Sequence, residues 1–394
     1  MNKNNTKKVF KEFLNPLDAP ILAKMAENLK LDKYVKKLDT LVFTKLFIYA
    51  ELAEIENLTE ISLKVNHCSQ LQEALQLQSI STSQLSRKLR QIPPTFLDAV
   101  LRHLIQKVRQ LFGFRKGNQL LEKLHIIDSS TITLSLSQSS WAPKNRYTGG
   151  VKMHTRVVYQ DDVTYLDRLF ITAARPADRT QLDELLVNEE GALHVFDRGY
   201  YDYEKFDELI TRNIRFLTRL KDNAVYRVVE EIPVNPNSAI KREAIIFLGR
   251  MKHPLRLIEV IDSIGTPIRL VINDAKLSAE EVSEIYRKRW QIELFFKWMK
   301  QHTVLKNCFS LSYNGVHNQI YLAMITFCLI LLTHQKMTTR KTLLEFKRII
   351  IHYYYDSIKK LTEVFIQQPT RRSRGRQKID HNQRFKEIEQ YYGL

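Results

Sequence analysis

The chain has 394 residues and a formal net charge of +18, with 61 Lys and Arg against 43 Asp and Glu. That length supports two or three domains, each with its own core, so folding needs no disulfide or metal staple. The positive excess points to a polyanionic partner, nucleic acid or an anionic membrane surface, unless it is only a solvated basic exterior.

The first residues, MNKNNTKKVFKEF, carry charge but no apolar run followed by a cleavage site, so no secretory signal is expected. Cys68, Cys308 and Cys328 are far apart without C-x-x-C spacing. This argues against a zinc site or disulfide framework and fits a reducing cytoplasm. From Leu41 to about Leu111 apolar residues recur at three- and four-residue spacing, the pattern of a helical N-terminal domain, bounded at 1–115. Within it, Ser81 to Ile92 has serine and threonine caps, then Leu85, Leu89 and Ile92 on one face and Gln84, Arg87, Lys88 and Gln91 elsewhere; Pro93 and Pro94 stop it. Two readings stay open for this segment. It is either a recognition helix whose Gln84, Arg87 and Lys88 reach DNA, or an ordinary amphipathic helix with a solvated basic face.

Phe112 to Asn118 reads as a glycine-bearing linker, after which strands alternate with helices in a second domain at 116–312. His125–Leu134, Val151–Tyr159 and Tyr165–Thr172 are expected strands; Asp178–Leu186 is helical; Leu193–Asp197 is a short strand ending in an acid; a helix over 203–211 and a strand over 214–220 follow. That order predicts an α/β, ribonuclease H-like mixed sheet with helices on its faces. A β-strand insertion is expected at about 221–275. Then the S-x-x-E capping box at Ser278–Glu281 opens one long helix to about Gln301. The remaining 313–394 reads as a helical C-terminal region. Its apolar run Ile320–Thr333, at fourteen residues, is too short to span a bilayer and reads as a buried core helix, and a basic tail follows at Arg371–Lys378.

The candidate chemistry starts on the long helix. At 100° per residue, Tyr286, Arg289, Glu293, Lys297 and Lys300 fall within an arc of roughly 80°. The rest of the circumference is apolar, so this stripe is expected to line a cleft in which a carboxylate and cations serve metal and phosphate. An i,i+4 pair of Glu293 with Lys297 is the plainer alternative. Asp128 and Asp197 lie at or near the ends of apolar strands, where an aspartate alone is commonly a turn or cap. With Glu293 they form a set suited to two-metal phosphodiester chemistry. Hard cations such as Mg²⁺, with Mn²⁺ as a substitute, want oxygen ligands, and Asp128 is the candidate to share both ions. Lys152 and His154 share a strand face and approach DNA in one reading; surface placement is the other.

The order Asp128, Asp197, Glu293, with Asp-Arg-Gly-Tyr at 197–200 and Y-x2-R-x3-E-x6-K at 286–300, resembles the DDE transposases of bacterial insertion sequences. The likeness is to the insertion-sequence-4-type family marked by that last signature, and it covers roughly Leu124 to His302. It implies that Glu293 is the third metal ligand, that Tyr286, Arg289 and Lys300 contact phosphates of the element's end, and that Arg219 lies near the cleaved strand. The family's β insertion holds flipped bases. Here it has no tryptophan, so Tyr226 or Phe247 would have to stack instead. The expectation is therefore cut-and-paste transposition, with double-stranded DNA as partner both as terminal inverted repeats and as target. A homodimer would form in the synaptic complex, acting in the bacterial cytoplasm at the nucleoid and not at a membrane. A structure-specific nuclease on the same fold, or an inactive DNA-binding regulator, are the rivals.

Overall fold

The computed structural model describes residues 7–113, 123–135, 137, 139–261 and 265–366. Strands β1 (Lys123–Leu134), β2 (Gly149–Gln160) and β3 (Val163–Ala173) follow one another in the chain, the last two through a tight turn, and pair antiparallel. Strands β4 (Ala192–Phe196) and β5 (Arg215–Arg219) arrive after helical crossovers, and β4 lies parallel to both β1 and β5. All five residues of β4 are buried. A parallel strand covered on both faces needs an apolar run of that kind. The ribonuclease H-like, mixed α/β arrangement expected from the element order is thus the one found.

The expected insertion is β6 (Tyr226–Ile232), β7 (Ile240–Leu248), β8 (Leu255–Ile261) and β9 (Pro267–Ile272), which extends the same sheet. β9 pairs antiparallel with β5, giving the order β3-β2-β1-β4-β5-β9-β8-β7-β6 among the described residues. The outer strand β6 exposes Arg227, Glu230 and Glu231, charges that discourage edge-to-edge pairing with another sheet.

The helices are α1 (Val9–Leu14), α2 (Ala19–Asn28), α3 (Thr40–Leu52), α4 (Leu58–His67), α5 (Ser69–Leu75), α6 (Thr82–Gln91) and α7 (Pro94–Gly113) before the sheet. Within the sheet's connections lie α8 (Leu182–Leu185) and α9 (Tyr203–Thr211), and after it α10 (Ala279–Lys288), α11 (Trp290–His302), α12 (Tyr313–Lys336), α13 (Leu343–His352) and α14 (Ile358–Ile366). Helix α12 packs against α3, α6, α7 and α13, and one apolar cluster takes in residues from the N-terminal helices, the sheet and the C-terminal helices.

The apolar segment around Ile320 is the buried core helix expected there, 94% buried over its most apolar window, although the helix runs 24 residues and is long enough by itself to cross a membrane. One expectation is corrected: the expected continuous helix after Ser278 breaks at Arg289, whose N–H bonds to the Tyr286 carbonyl three residues back. Such tightening inside a helix commonly marks strain or a functional position. The expected linker at 112–118 and the basic tail at 371–378 fall largely or wholly outside the described residues.

Candidate active site

Parallel pairing sets the first two carboxylates. Ile127 lies opposite Phe196, so the next residue of each chain, Asp128 and Asp197, emerges beside its counterpart on neighbouring strands about 4.8 Å apart. Alternation puts Ile127 and Phe196 in the apolar cluster on one face of the sheet, and Ile126 and Val195 in the cluster on the other. Asp128 and Asp197 continue the second series, and α11, which carries Glu293, packs on β1. The carboxyl ends of parallel strands are where open α/β sheets place their ligands.

Each carboxylate is held by local backbone. Asp128 accepts from the N–H of Ser129 at 2.7 Å. Asp197 caps the turn Arg198–Tyr200, accepting from the N–H of Gly199 at 2.8 Å. Glu293 pairs with Arg289 at 2.8 Å. Burial and then the neighbouring Asp197 charge push the Asp128 carboxyl up to about 7, with Arg289 opposing. Burial also raises Glu293, again against Arg289. Two partly desolvated acids side by side are unstable as a charged pair unless a cation joins them.

The stripe read from helical spacing is present, though it runs across the break at Arg289. Tyr286 sits close enough to Arg289, Arg219 and Asp197 for all three to act on its phenol, which burial first of all raises. The Arg289 guanidinium lies 5.7 Å from the Tyr286 ring. The Nε atoms of Arg219 and Arg289 are buried without a hydrogen-bond partner among the described residues. Lys300 reaches the Thr131 carbonyl of β1 at 3.3 Å, and Lys297 is exposed one turn beyond Glu293.

Other expected site residues lie elsewhere. His154 pairs in register with Ser129, which places it with Lys152 on the sheet face opposite Asp128. Its ring is fully buried, stacked on Phe170 and 2.9 Å from the Thr172 hydroxyl, and burial lowers its pKa to about 4. An imidazole enclosed in this way has no edge left for DNA. Lys152 is held at 3.1 Å by Asp178. Lys88 is corrected in the same sense: it lies inside, 2.7 Å from Asp32. Gln84 closes a capping box with Ser81, and Arg87 remains exposed. In the extension of the sheet, Tyr226 accepts from Arg242 at 3.3 Å and Phe247 lies under Arg227.

Periodicity gave no signal for a group behind Asp128. Ser129 donates to Asp178 at 2.7 Å, and burial, then the carboxylates of Asp128, Asp178 and Asp197, hold the buried Tyr200 phenol far above its ordinary range. Gly199 is another such residue. A β-carbon there would stand 2.9 Å from Asp197 Oδ1, closer than real β-carbons approach. Gly199→Ala is therefore expected to displace the Asp197 carboxylate and lower metal-dependent cleavage by about a hundredfold, the order of loss that a misplacement of about 1 Å brings. DNA affinity should stay unchanged; a Gly199→Ala protein that cuts at the normal rate would show that Asp197 need not sit where the turn holds it.

Comparison with known proteins gives the same family as the motif. A family model described as "Transposase DDE domain" matches residues 120–329. A relative from Geobacillus stearothermophilus, provisionally named a transposase for insertion sequence element IS5377, is 28% identical over 63% of this chain and 66% of its own length. Another from Sinorhizobium fredii, provisionally named transposase y4zB, is 30% identical over 61% of this chain and 68% of its own. A third, from Synechocystis, provisionally named a transposase for insertion sequence element IS4SA, is 29% identical over 36% of this chain and 41% of its own. The match thus spans about two thirds of the first two relatives' lengths. With the family model covering more than half of the chain, and with its acidic residues on the strands and helix described above, the protein belongs to the DDE transposase family.

Proposed function

We propose that the protein excises and inserts an insertion sequence by a cut-and-paste route, with Asp128, Asp197 and Glu293 as its catalytic carboxylates. The observation that carries this reading is the parallel register that sets Asp128 beside Asp197 on the face covered by Glu293's helix. Arg219, Tyr286, Arg289 and Lys300 border that face. The two orphaned guanidinium nitrogens are donors suited to phosphate oxygens, and charge-assisted contacts of this kind are strong.

The donor chemistry fits a divalent cation. All three side chains offer hard oxygen ligands, and the raised Asp128 carboxyl marks a negative site short of positive charge. Among the described residues no three acidic, histidine or cysteine side chains yet converge to ligating distance, and Glu293 is engaged by Arg289. Asp128, Asp197 and Glu293 would hold the ions, two Mg²⁺ or Mn²⁺, with Arg289 giving up Glu293. When bound, such ions activate the attacking oxygen and stabilise the leaving one. The protein's own share is to fix the carboxylates on rigid strands, to neutralise phosphate through Arg219, Arg289 and Lys300, and to keep Glu293 paired until DNA arrives. In this reading the N-terminal helices hold the terminal inverted repeats, and two subunits pair the two ends before joining them to target DNA.

Alanine at Asp128, Asp197 or Glu293 is expected to abolish cleavage of a labelled duplex carrying the element's end, while leaving its binding intact. The check is a denaturing gel with Mg²⁺ and with chelator, alongside a mobility-shift assay. Retained cleavage in any one variant removes that residue from the set. Cleavage by the native protein without joined products would instead favour a nuclease.

A further inference from the structure

Lys88 is expected from sequence to reach DNA, yet it is buried in the α6 interface, where it binds Asp32 at 2.7 Å and the Leu31 carbonyl at 3.4 Å. Those partners belong to the segment between α2 and α3. The same Asp32 oxygen accepts from the N–H and hydroxyl of Thr40 at the start of α3, at 2.8 and 2.7 Å. Five residues on, Lys37 comes within 3.5 Å of the Ser79 hydroxyl, just ahead of α6. The segment is thus laid along α6 from its last turn to its first and tied down at both ends.

What it displays there is positive. Four lysines occur within residues 30–37, at 30, 33, 36 and 37, and all four are exposed. The one acid in that stretch, Asp32, is taken up by Lys88. Tyr34 stands between them 88% exposed with φ 66°, and the Lys33 ammonium lies 5.1 Å from its ring. A bulky residue in left-handed backbone with its side chain in solvent repays none of that strain by packing, and such outliers cluster at functional sites. Beside it α6 exposes Arg87, Arg90 and Gln91.

We infer that the 30–37 segment, pinned along α6 by the ion pair of the buried Lys88 with Asp32, is a clamp for the phosphate backbone of duplex DNA. This rests on the reading that the N-terminal helices engage DNA. It divides the labour there: the segment supplies contacts to phosphate that position without reading sequence, α6 supplies any contact to bases, and Lys88 acts only by holding the two together.

The test is fluorescence anisotropy of the full chain on a labelled duplex carrying the element's end and on a scrambled duplex, across a range of salt. Lys30→Ala, Lys33→Ala and Lys36→Ala combined, which leave the Lys37–Ser79 contact in place, should weaken both complexes by the same factor, at least about tenfold near 0.1 M salt. The slope of log affinity against log salt should fall by about 2 to 3, since each phosphate contact contributes about 0.9. Asp32→Asn separates the pin from simple charge. It removes a negative charge from a basic surface, so charge alone predicts tighter binding, whereas loss of the pin predicts weaker binding to both duplexes. Equal or tighter binding by Asp32→Asn overturns the pin. The triple variant changes only exposed side chains, so its result holds even if Asp32→Asn fails to fold. Unchanged affinity and slope in the triple variant overturn the clamp; in that event a loss with Arg87→Ala leaves the N-terminal DNA reading standing, and no loss with either brings both down.

Discussion

Replacing Asp128 by asparagine is expected to abolish DNA cleavage and, in the same molecule, to raise the melting temperature of the metal-free protein. Burial, then the adjacent Asp197, push the Asp128 carboxyl to about 7, against an ordinary value of 3.8. The folded state therefore binds this proton more tightly than the unfolded chain does. The stability this gives is complete below the ordinary aspartate range, is lost as pH rises, and is gone above about 7; Glu293, also raised, acts in the same direction. At about 1.4 kcal/mol for each tenfold change, the cost of the ionised Asp128 near pH 8 is on the order of 2–4 kcal/mol, and asparagine removes it. Thermal melts of both proteins without metal, at about pH 5.5 and pH 8, should show native protein losing stability toward the higher pH and the variant losing much less. Mg²⁺ should then stabilise the native protein at the higher pH and not the variant, because only the native site gains by binding it. Equal melts of the two proteins at the higher pH would mean that Asp128 is not held in a like-charge site.

Arg289→Gln is expected to have the opposite effect on the fold. The Arg289 side chain, 18% exposed, pairs with Glu293, and its charge also acts on Asp128. Removing it leaves three neighbouring acids without their internal cation. Breaking a fully buried pair costs about 3–5 kcal/mol; here the partial exposure of Glu293 reduces that to about 1–3 kcal/mol. The loss should be larger near pH 8 than near pH 5, where protonation relieves the repulsion, and Mg²⁺ should restore much of it. Cleavage should also fall, since the orphaned Nε is lost as a phosphate donor. If Arg289 served only as a contact to DNA, the melting temperature without DNA would not move.

Arg289 also shows how far the sequence reaches. Spacing alone puts Tyr286, Arg289, Glu293 and Lys300 on one narrow face, because 100° per residue is fixed by the backbone. The apolar runs leading to Asp128 and Asp197, the order of strands and helices, and the capping box at Ser278 were equally legible, since each is a local pattern; that β1 continues through Asp128 to Leu134 and only its parallel pairing stops there was decided by the sheet. The break at Arg289 was not legible, because it is a choice between two hydrogen-bond partners for one N–H. Nor did spacing show that Glu293 would be paired with the arginine four residues earlier and not with Lys297.

Sequence by itself determined the period of each element, the acids that follow apolar β runs and the motif that carries the family resemblance. Tertiary structure decided what each polar side chain faces. Alternation places Lys152 and His154 together on a strand, but only pairing with β1 puts them on the face away from Asp128. Amphipathic patterning leaves Lys88 among the polar residues of its helix, yet Asp32, 56 positions away, draws it inside. Local periodicity encodes which side of an element a residue occupies; the neighbour that covers that side comes from elsewhere in the chain, and burial and charge pairing are set only when the two meet.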